Sequence, residues 1–399
     1  MNDVQLNIRG ESWFQDEDLV RLMTLLNRDG DNARIVGGAV RDALFNIFWK
    51  RKRKIGDIDI ASRLTPLENI ELLEQAGIKV VATGLKHGTI TAVINKKPFE
   101  ITTLRKDIRT DGRHAEVEFS KDWSDDARRR DFTINALYLG KDGTVYDPLD
   151  SFQDIKAARV RFIGDARKRI REDALRILRF FRFSSDIEVG GVDEEGMLAA
   201  VELKDLIGTL SGERIRDEFK KILTSKRAMQ TIPMLATIGL LREILPECNG
   251  YGDFLKYIKR EKKLGRKNVI GRFSCLLPKD EKIIVEASRR LKLSNKERDQ
   301  LIAYSRNYER HDLRKKTLRR VLYLNGKDVV IHNLIRLGLL DKKSLGYINE
   351  YQIPEMPLSG KDLMKEGWEA GRDMGEELKR RETAWIDADF NLKGIQGSP

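Results

Sequence analysis

Cysteine and histidine are scarce in this 399-residue chain, with two of the former and four of the latter. Cys248 and Cys275 are too few for a disulfide framework and lack the paired spacing of a zinc site, which points to a reducing, cytoplasmic setting. Long apolar runs are missing as well. No stretch approaches the ~18 residues of a membrane span, so no membrane partner is expected. The opening MNDVQLNIRG has no apolar signal core. There is no Gly/Ser or Gln/Asn tract and no fixed-period repeat, which excludes linker-rich and solenoid architectures. What is present is a globular composition, 40% apolar and 35% charged, with length for about two to four domains. Lysine and arginine exceed aspartate and glutamate by 75 − 63 = 12. A surplus of that kind favours a polyanionic partner, most simply nucleic acid.

Periodicity divides the chain. DEDLVRLMTLLNRDG reads as an amphipathic helix, with Leu19, Leu22, Leu25 and Leu26 at helical spacing. Strand-like runs follow: ARIVGG, IGDIDIA, KVVATG, TITAVIN, FEITTL and VEF. Past Asp150 the strand signals fade, and the patterns become helical. The expected fold class is an α+β head, a mixed sheet with helices, followed by an all-α remainder. Basic runs cluster in the helical part, in LKYIKREKKLGRKN and SRNYERHDLRKKTLRR.

Two aspartates alternate with isoleucines in KIGDIDIAS. On a strand, Asp57 and Asp59 share one face and Ile58 and Ile60 the other. Two carboxylates side by side repel unless a cation sits between them, and carboxylate oxygens are what Mg²⁺ prefers. Glu100, in FEITTL, is the candidate third acid, on a strand that can pair beside IGDIDIA. The competing reading is an exposed edge strand with two solvated aspartates. Upstream, ARIVGGAVRDALF reads as strand, Gly37–Gly38 turn and helix. Glycines let a backbone approach phosphates, the helix N-terminus offers free N–H groups, and Arg41 lies one turn in. Taken alone, that segment is equally an ordinary strand-to-helix turn.

GGAVRDALF with GDIDIA resembles the active-site signature of the nucleotidyltransferase superfamily, specifically its bacterial and eukaryotic tRNA CCA-adding branch. Further signatures follow in the family's order: RRRDFTINALY (128–138), DPLDSFQDI (147–155), REDALRILRFFRF (171–183), SGERIRDEFKKIL (211–223) and LSGKDLMKEG (358–367). The resemblance implies a nucleotidyltransferase head over 1–150, a helical neck over 151–223 that recognises the base, a body over 224–310 and a tRNA-binding tail over 311–399. It implies Mg²⁺ as cofactor and CTP, ATP and the acceptor end and backbone of tRNA as partners, with no obligate protein partner. Asp57 and Asp59 would ligate metal and, with Glu100, form the catalytic set. Gly37, Gly38, Arg41, Arg130, Asp173, Arg176, Arg179 and Arg182 would bind the nucleotide.

The segment EDALRILRFFRF has its own physical content. Ala174, Ile177, Leu178 and Phe181 form an apolar stripe, with Arg176 and Arg179 on the opposite side. Asp173 and Arg176 are i, i+3 neighbours that can touch, either as a surface salt bridge or as a selector. A carboxylate only accepts and a guanidinium only donates, so a rigid pair matches the pairing edges of C and A. It leaves G and U mismatched at ~1–3 kcal/mol each. The resemblance implies that selector role.

Two departures from the family stand out. The link ALFNIFWKRKRKIG before Asp57 is longer than usual, with Asn46 where glycine is common. Its basic stretch, Lys50–Lys54, either touches RNA phosphates or forms a solvated loop. RHDL at His311 lacks the further histidines of a metal phosphohydrolase, so no attached phosphatase is expected. The polar segment Arg105–Phe119 matches the flexible loop of complete CCA-adding enzymes, which partial enzymes adding only CC lack. Alternatives are a poly(A) polymerase, an enzyme adding part of CCA, or a catalytically inactive RNA-binding protein.

Overall fold

The computed structural model describes residues 4–5, 8–111, 114–187, 191–306 and 314–392. RHDL, 310–313, lies outside the described residues, as does the tip of the Arg105–Phe119 segment, 112–113. Two compact units divide the chain, Met1–Ile244 and Leu245–Pro399.

All described strands belong to the first unit: β1 (Val4–Gln5), β2 (Ala33–Val36), β3 (Asp59–Ser62), β4 (Lys79–Gly84), β5 (Thr89–Ile94), β6 (Lys97–Thr103), β7 (Arg105–Asp111), β8 (His114–Phe119), β9 (Tyr138–Leu139) and β10 (Thr144–Tyr146). Eight form a mixed sheet in the order β1-β10-β9-β2-β3-β6-β5-β4. The β3–β6 pair is parallel and the other neighbouring strands run antiparallel. β2 lies mid-sheet and is buried along its whole length, which suits ARIV except at Arg34. That guanidinium is accommodated by stacking over Tyr146 at 3.4 Å and Trp123 at 4.3 Å and by pairing with Asp31. Val36, Ala61, Leu104, Trp123 and Tyr138 form the core beneath this part of the sheet.

The run IGDIDIA is only partly strand. Regular pairing begins at Asp59, so Asp57 precedes the ladder instead of sharing a pleated face with Asp59. The Arg105–Phe119 segment, read as a polar loop, is a separate two-stranded hairpin, β7–β8. Its alternation was hard to see because strand residues there are mostly polar, as two-sided hairpins permit.

Helices follow, as expected. Leu175–Asp186 buries Ile177, Leu178, Phe180 and Phe181 and packs on Gly212–Thr224. The second unit is all helical among the described residues. Its longest element, Lys315–Leu337, is kinked at Gly326, whose φ of 76° is outside the helical range. No described helix is long and apolar enough to cross a membrane.

Candidate active site

Strand register sets the acidic side of the site. Asp59 lies opposite Val36 on one neighbour and opposite Glu100 on the other. Glu100 therefore stands where the alternation of FEITTL places it, directly beside the second aspartate. Asp59 is half-buried, whereas Asp57 and Glu100 are exposed. Burial, then the Glu100 charge, and more weakly that of Asp57, push the Asp59 carboxyl above its ordinary value, with Arg130 pulling the other way. The donors are hard oxygens of the kind Mg²⁺ takes, so the residues fit a magnesium ion. Among the described residues no group of three or more His, Cys, Asp or Glu encloses a metal unaided. Phosphate oxygens and water would complete the shell, as is usual for this ion.

The glycine turn closes over the same point. Gly37 has φ 77°, a conformation that favours glycine, and caps the Gly38–Trp49 helix. A Cβ on Gly37 would sit 3.5 Å from Asp59 Oδ2 and 3.9 Å from Arg130 Nη1. Arg41 donates from Nε and Nη2 to its neighbour Asp42 and from Nη1 to Asn135 Oδ1, at 3.1, 3.0 and 2.9 Å.

Arg130 is fixed from below. Asp126, 1% exposed, accepts from Arg130 Nη2 at 2.8 Å and from the Tyr138 hydroxyl at 2.7 Å, and pairs with Arg129. Burial alone would raise the Asp126 carboxyl, but the Arg130 and Arg129 charges and the Tyr138 hydroxyl outweigh it and hold it well below the carboxylate range. Arg169 donates to the main-chain carbonyls of Arg129 and Arg130, clamping the segment from the helical side.

A cavity of about 400 Å³ brings these parts together. Gly37, Gly38, Arg41, Asp59 and Arg130 line one side, and Asp173, Arg176 and Arg179 the other. Asp131, Asn135 and Phe183 also line it. The first two lie in RRRDFTINALY without having been singled out. Asp131 accepts from Arg179 Nε at 2.6 Å and from Asn135 Nδ2 at 3.1 Å. The signal for them was their place in that signature, since nothing in their spacing reveals a contact 48 residues away.

Three expected residues are placed differently. Arg182 does not line the cavity and pairs with Glu218 at 2.8 Å, because it lies further round the helix than Arg176 and Arg179. Asp57 and Glu100 lie outside the lining, at the acidic edge beside Asp59.

The Asp173–Arg176 pair does not form as expected. Asp173 is extended, with φ −156°, between helices Ala166–Glu172 and Leu175–Asp186, so although its carbonyl accepts from the Arg176 N–H at 3.1 Å its side chain is not set as in a continuous helix. Arg176 Nη1 donates to Glu172 Oε2 at 2.7 Å and to the Arg169 carbonyl at 2.8 Å. Asp173 accepts from Arg214 Nη2 at 2.8 Å and from the Leu175 N–H at 3.1 Å. Both side chains still face one cavity, each with its own support.

The comparisons agree with this geometry. The poly A polymerase head domain family matches residues 33–161, and the family described as the probable RNA and SrmB-binding site of polymerase A matches 192–251. The mitochondrial CCA tRNA nucleotidyltransferase 1 of Mus musculus is 36% identical over 94% of this chain and 88% of its own length. The Homo sapiens enzyme of that name shows the same identity and coverage. A crystal structure of the Bacillus stearothermophilus CCA-adding enzyme in complex with CTP superposes with a TM-score of 0.75 at 26% identity, covering 94% of this chain and 93% of that one. With full-length relatives above the level at which membership is in doubt, the chain belongs to the CCA-adding tRNA nucleotidyltransferase family.

Proposed function

We propose that the protein adds C, C and A in turn to the 3′ end of tRNA, using CTP and ATP and releasing pyrophosphate without a nucleic-acid template. The observation that carries this reading is the single cavity shared by Gly37, Arg41 and Asp59 of the sheet side and Asp173, Arg176 and Arg179 of the helical side. It joins a phosphate-holding turn and an acidic edge to polar groups suited to a base.

In this reading the Gly37–Gly38 turn and Arg41 grip the triphosphate. Arg130, beside Asp59, meets developing phosphate charge. Asp57 and Asp59 hold Mg²⁺, with Glu100 alongside. Two bound magnesium ions would neutralise the phosphates and acidify the tRNA 3′-hydroxyl, the chemistry of in-line nucleotidyl transfer. The hydroxyl oxygen bonds to the α-phosphorus, pyrophosphate departs, and the hydroxyl proton passes to one of the three carboxylates. Asp173 accepts from the exocyclic amine of C or A, while Arg176 donates to the adjacent ring acceptor. Lysines and arginines beyond the head grip RNA backbone, a mode suited to serving every tRNA.

The division into head (1–150), neck (151–223), body (224–310) and tail (311–399) remains our assignment. We place the protein in a reducing, aqueous compartment such as the cytoplasm, since both cysteines are free. The mouse and human relatives carry the word mitochondrial in their names.

The test is incubation with tRNA lacking its last three nucleotides and labelled CTP or ATP. Completion to CCA followed by a stop is expected. A long A-only tail would identify a poly(A) polymerase. RNA binding without pyrophosphate release, unaffected by Asp57→Ala, would identify a silent RNA-binding protein.

A further inference from the structure

The extended basic link before Asp57 is not a free loop in its central part. Asn46, on the last turns of the Gly38–Trp49 helix, donates from Nδ2 to the Arg53 carbonyl at 2.9 Å. Its Oδ1 accepts from the Arg53 N–H at 2.7 Å. This two-point clasp turns Arg53 inward, leaving its side chain 15% exposed. Arg53 Nη1 then donates to Asp42 Oδ1 at 3.0 Å, and Nη2 donates to the main-chain carbonyl of Asp186 at 2.6 Å. Its guanidinium also lies 5.0 Å from the centre of the Phe45 ring.

Asp42 is thus shared. Its carboxylate accepts from Arg41 Nε and Nη2 on one side and from Arg53 on the other. A lone Arg41–Asp42 pair would be neutral, with little attraction left for a phosphate. The second guanidinium offsets the Asp42 charge and fixes the carboxylate on which Arg41 rests, with the Asp186 carboxyl also within electrostatic reach of both arginines. The Asp186 contact ties this arrangement to the end of the helix that carries Arg176 and Arg179.

We infer that Arg53 is a positioning residue for the triphosphate: through Asp42 it aims Arg41, and Asn46 holds Arg53 in place. The inference rests on the reading of Arg41 as a phosphate ligand. It gives the long link a role in nucleotide binding, with the Arg53 side chain turned inward onto Asp42 and the Asp186 carbonyl.

Steady-state kinetics of Arg53→Ala on tRNA lacking its last three nucleotides tests this. KM for CTP and for ATP should rise together by about 10-fold, the effect of losing one charge-assisted contact, with kcat within about two-fold of wild type. The choice between C and A and the KM for tRNA should not move, because Arg53 reaches neither base nor RNA. A structural role alone would lower the melting temperature without this split. Unchanged triphosphate KM, or a raised KM for tRNA only, overturns the inference. If Arg53→Ala does not fold, Arg53→Lys serves instead. Its single ammonium cannot span Asp42 and the Asp186 carbonyl, so a rise of about three-fold in both triphosphate KM values is expected, and wild-type values overturn the proposal. Inactive wild-type protein would refute the CCA-adding reading itself, a result distinguishable from active wild type with an indifferent Arg53 variant.

Discussion

Arg214 Nη2 donates to Asp173 Oδ2 at 2.8 Å, so this cavity-lining carboxylate is steadied by a helix 41 residues further along. Both side chains are 20% exposed, enough to meet a ligand and little enough to be held. A selector works only if its acceptor stays where the amine of C or A arrives, because a mobile carboxylate adapts to the wrong base.

Asp173→Ala should therefore raise incorporation of UTP and GTP relative to CTP and ATP by about 10- to 100-fold, the equivalent of one or two mismatched polar groups. Arg214→Ala should move fidelity in the same direction by a smaller factor, with the Asp173 acceptor still present but loose. Single-nucleotide incorporation with each of the four triphosphates measures both. Unaltered fidelity in Asp173→Ala excludes the selector role.

How the sequence relates to the site is visible in these same residues. The sheet-side parts were legible: GG needs a special turn, and alternation puts Glu100 in register with Asp59. Those are local consequences of glycine and of the two-residue strand period. The separate supports of Asp173 and Arg176 were not legible, because the spacing argument assumed one unbroken helix and the chain is extended at Asp173. Arg214, Asp131 and Asn135 act through partners distant in sequence, and no periodicity reports such contacts. Asp57 was expected on the strand face because alternation does not say where ladder pairing begins.

Removing the acidic edge should separate binding from chemistry. Asp59→Ala is expected to lower the incorporation rate by about 10³-fold or more, several kcal/mol of transition-state stabilisation. Glu100→Gln should cost less, since Glu100 is exposed and beside the cavity lining. In thermal melts, CTP with Mg²⁺ should raise the transition of the wild type, and chelation should remove the rise. Asp59→Ala should show little magnesium-dependent part. An equal magnesium-dependent shift in the variant would dissociate Asp59 from the metal.

Asp126 offers a stability test on the same unit. Two arginines and a tyrosine converge on this buried carboxylate, and Asp126→Ala leaves them unpaired. The expected loss is about 3–5 kcal/mol of unfolding free energy, as for other broken buried pairs. Its folded-state pKa is depressed, so its contribution is present above the ordinary aspartate value of 3.8 and is lost as pH falls below it. The difference in melting temperature between wild type and variant should be constant near neutrality and shrink only in strong acid.

The second unit makes the titration of a group buried in its neutral form measurable. His332 is fully buried, stacked on Tyr304 with ring centres 3.9 Å apart, and within hydrogen-bond reach of the Tyr257 hydroxyl at 3.2 Å and Ser274 Oγ at 3.3 Å. Burial, with the Arg336 charge adding to it, pushes the imidazole down to about 3 from 6.5. The folded unit thus keeps His332 neutral where the unfolded chain protonates it. Stability from this group is complete above pH 6.5 and is lost as pH falls toward 3. The slope in that window is about 1.4 kcal/mol per pH unit for one proton. His332→Phe keeps a flat ring against Tyr304 but removes the titration. Denaturant unfolding at pH 7 and pH 5 should show the wild type losing more stability than the variant over that interval. Equal losses would mean that His332 is charged in the folded protein, with a proton accommodated between Tyr257 and Ser274.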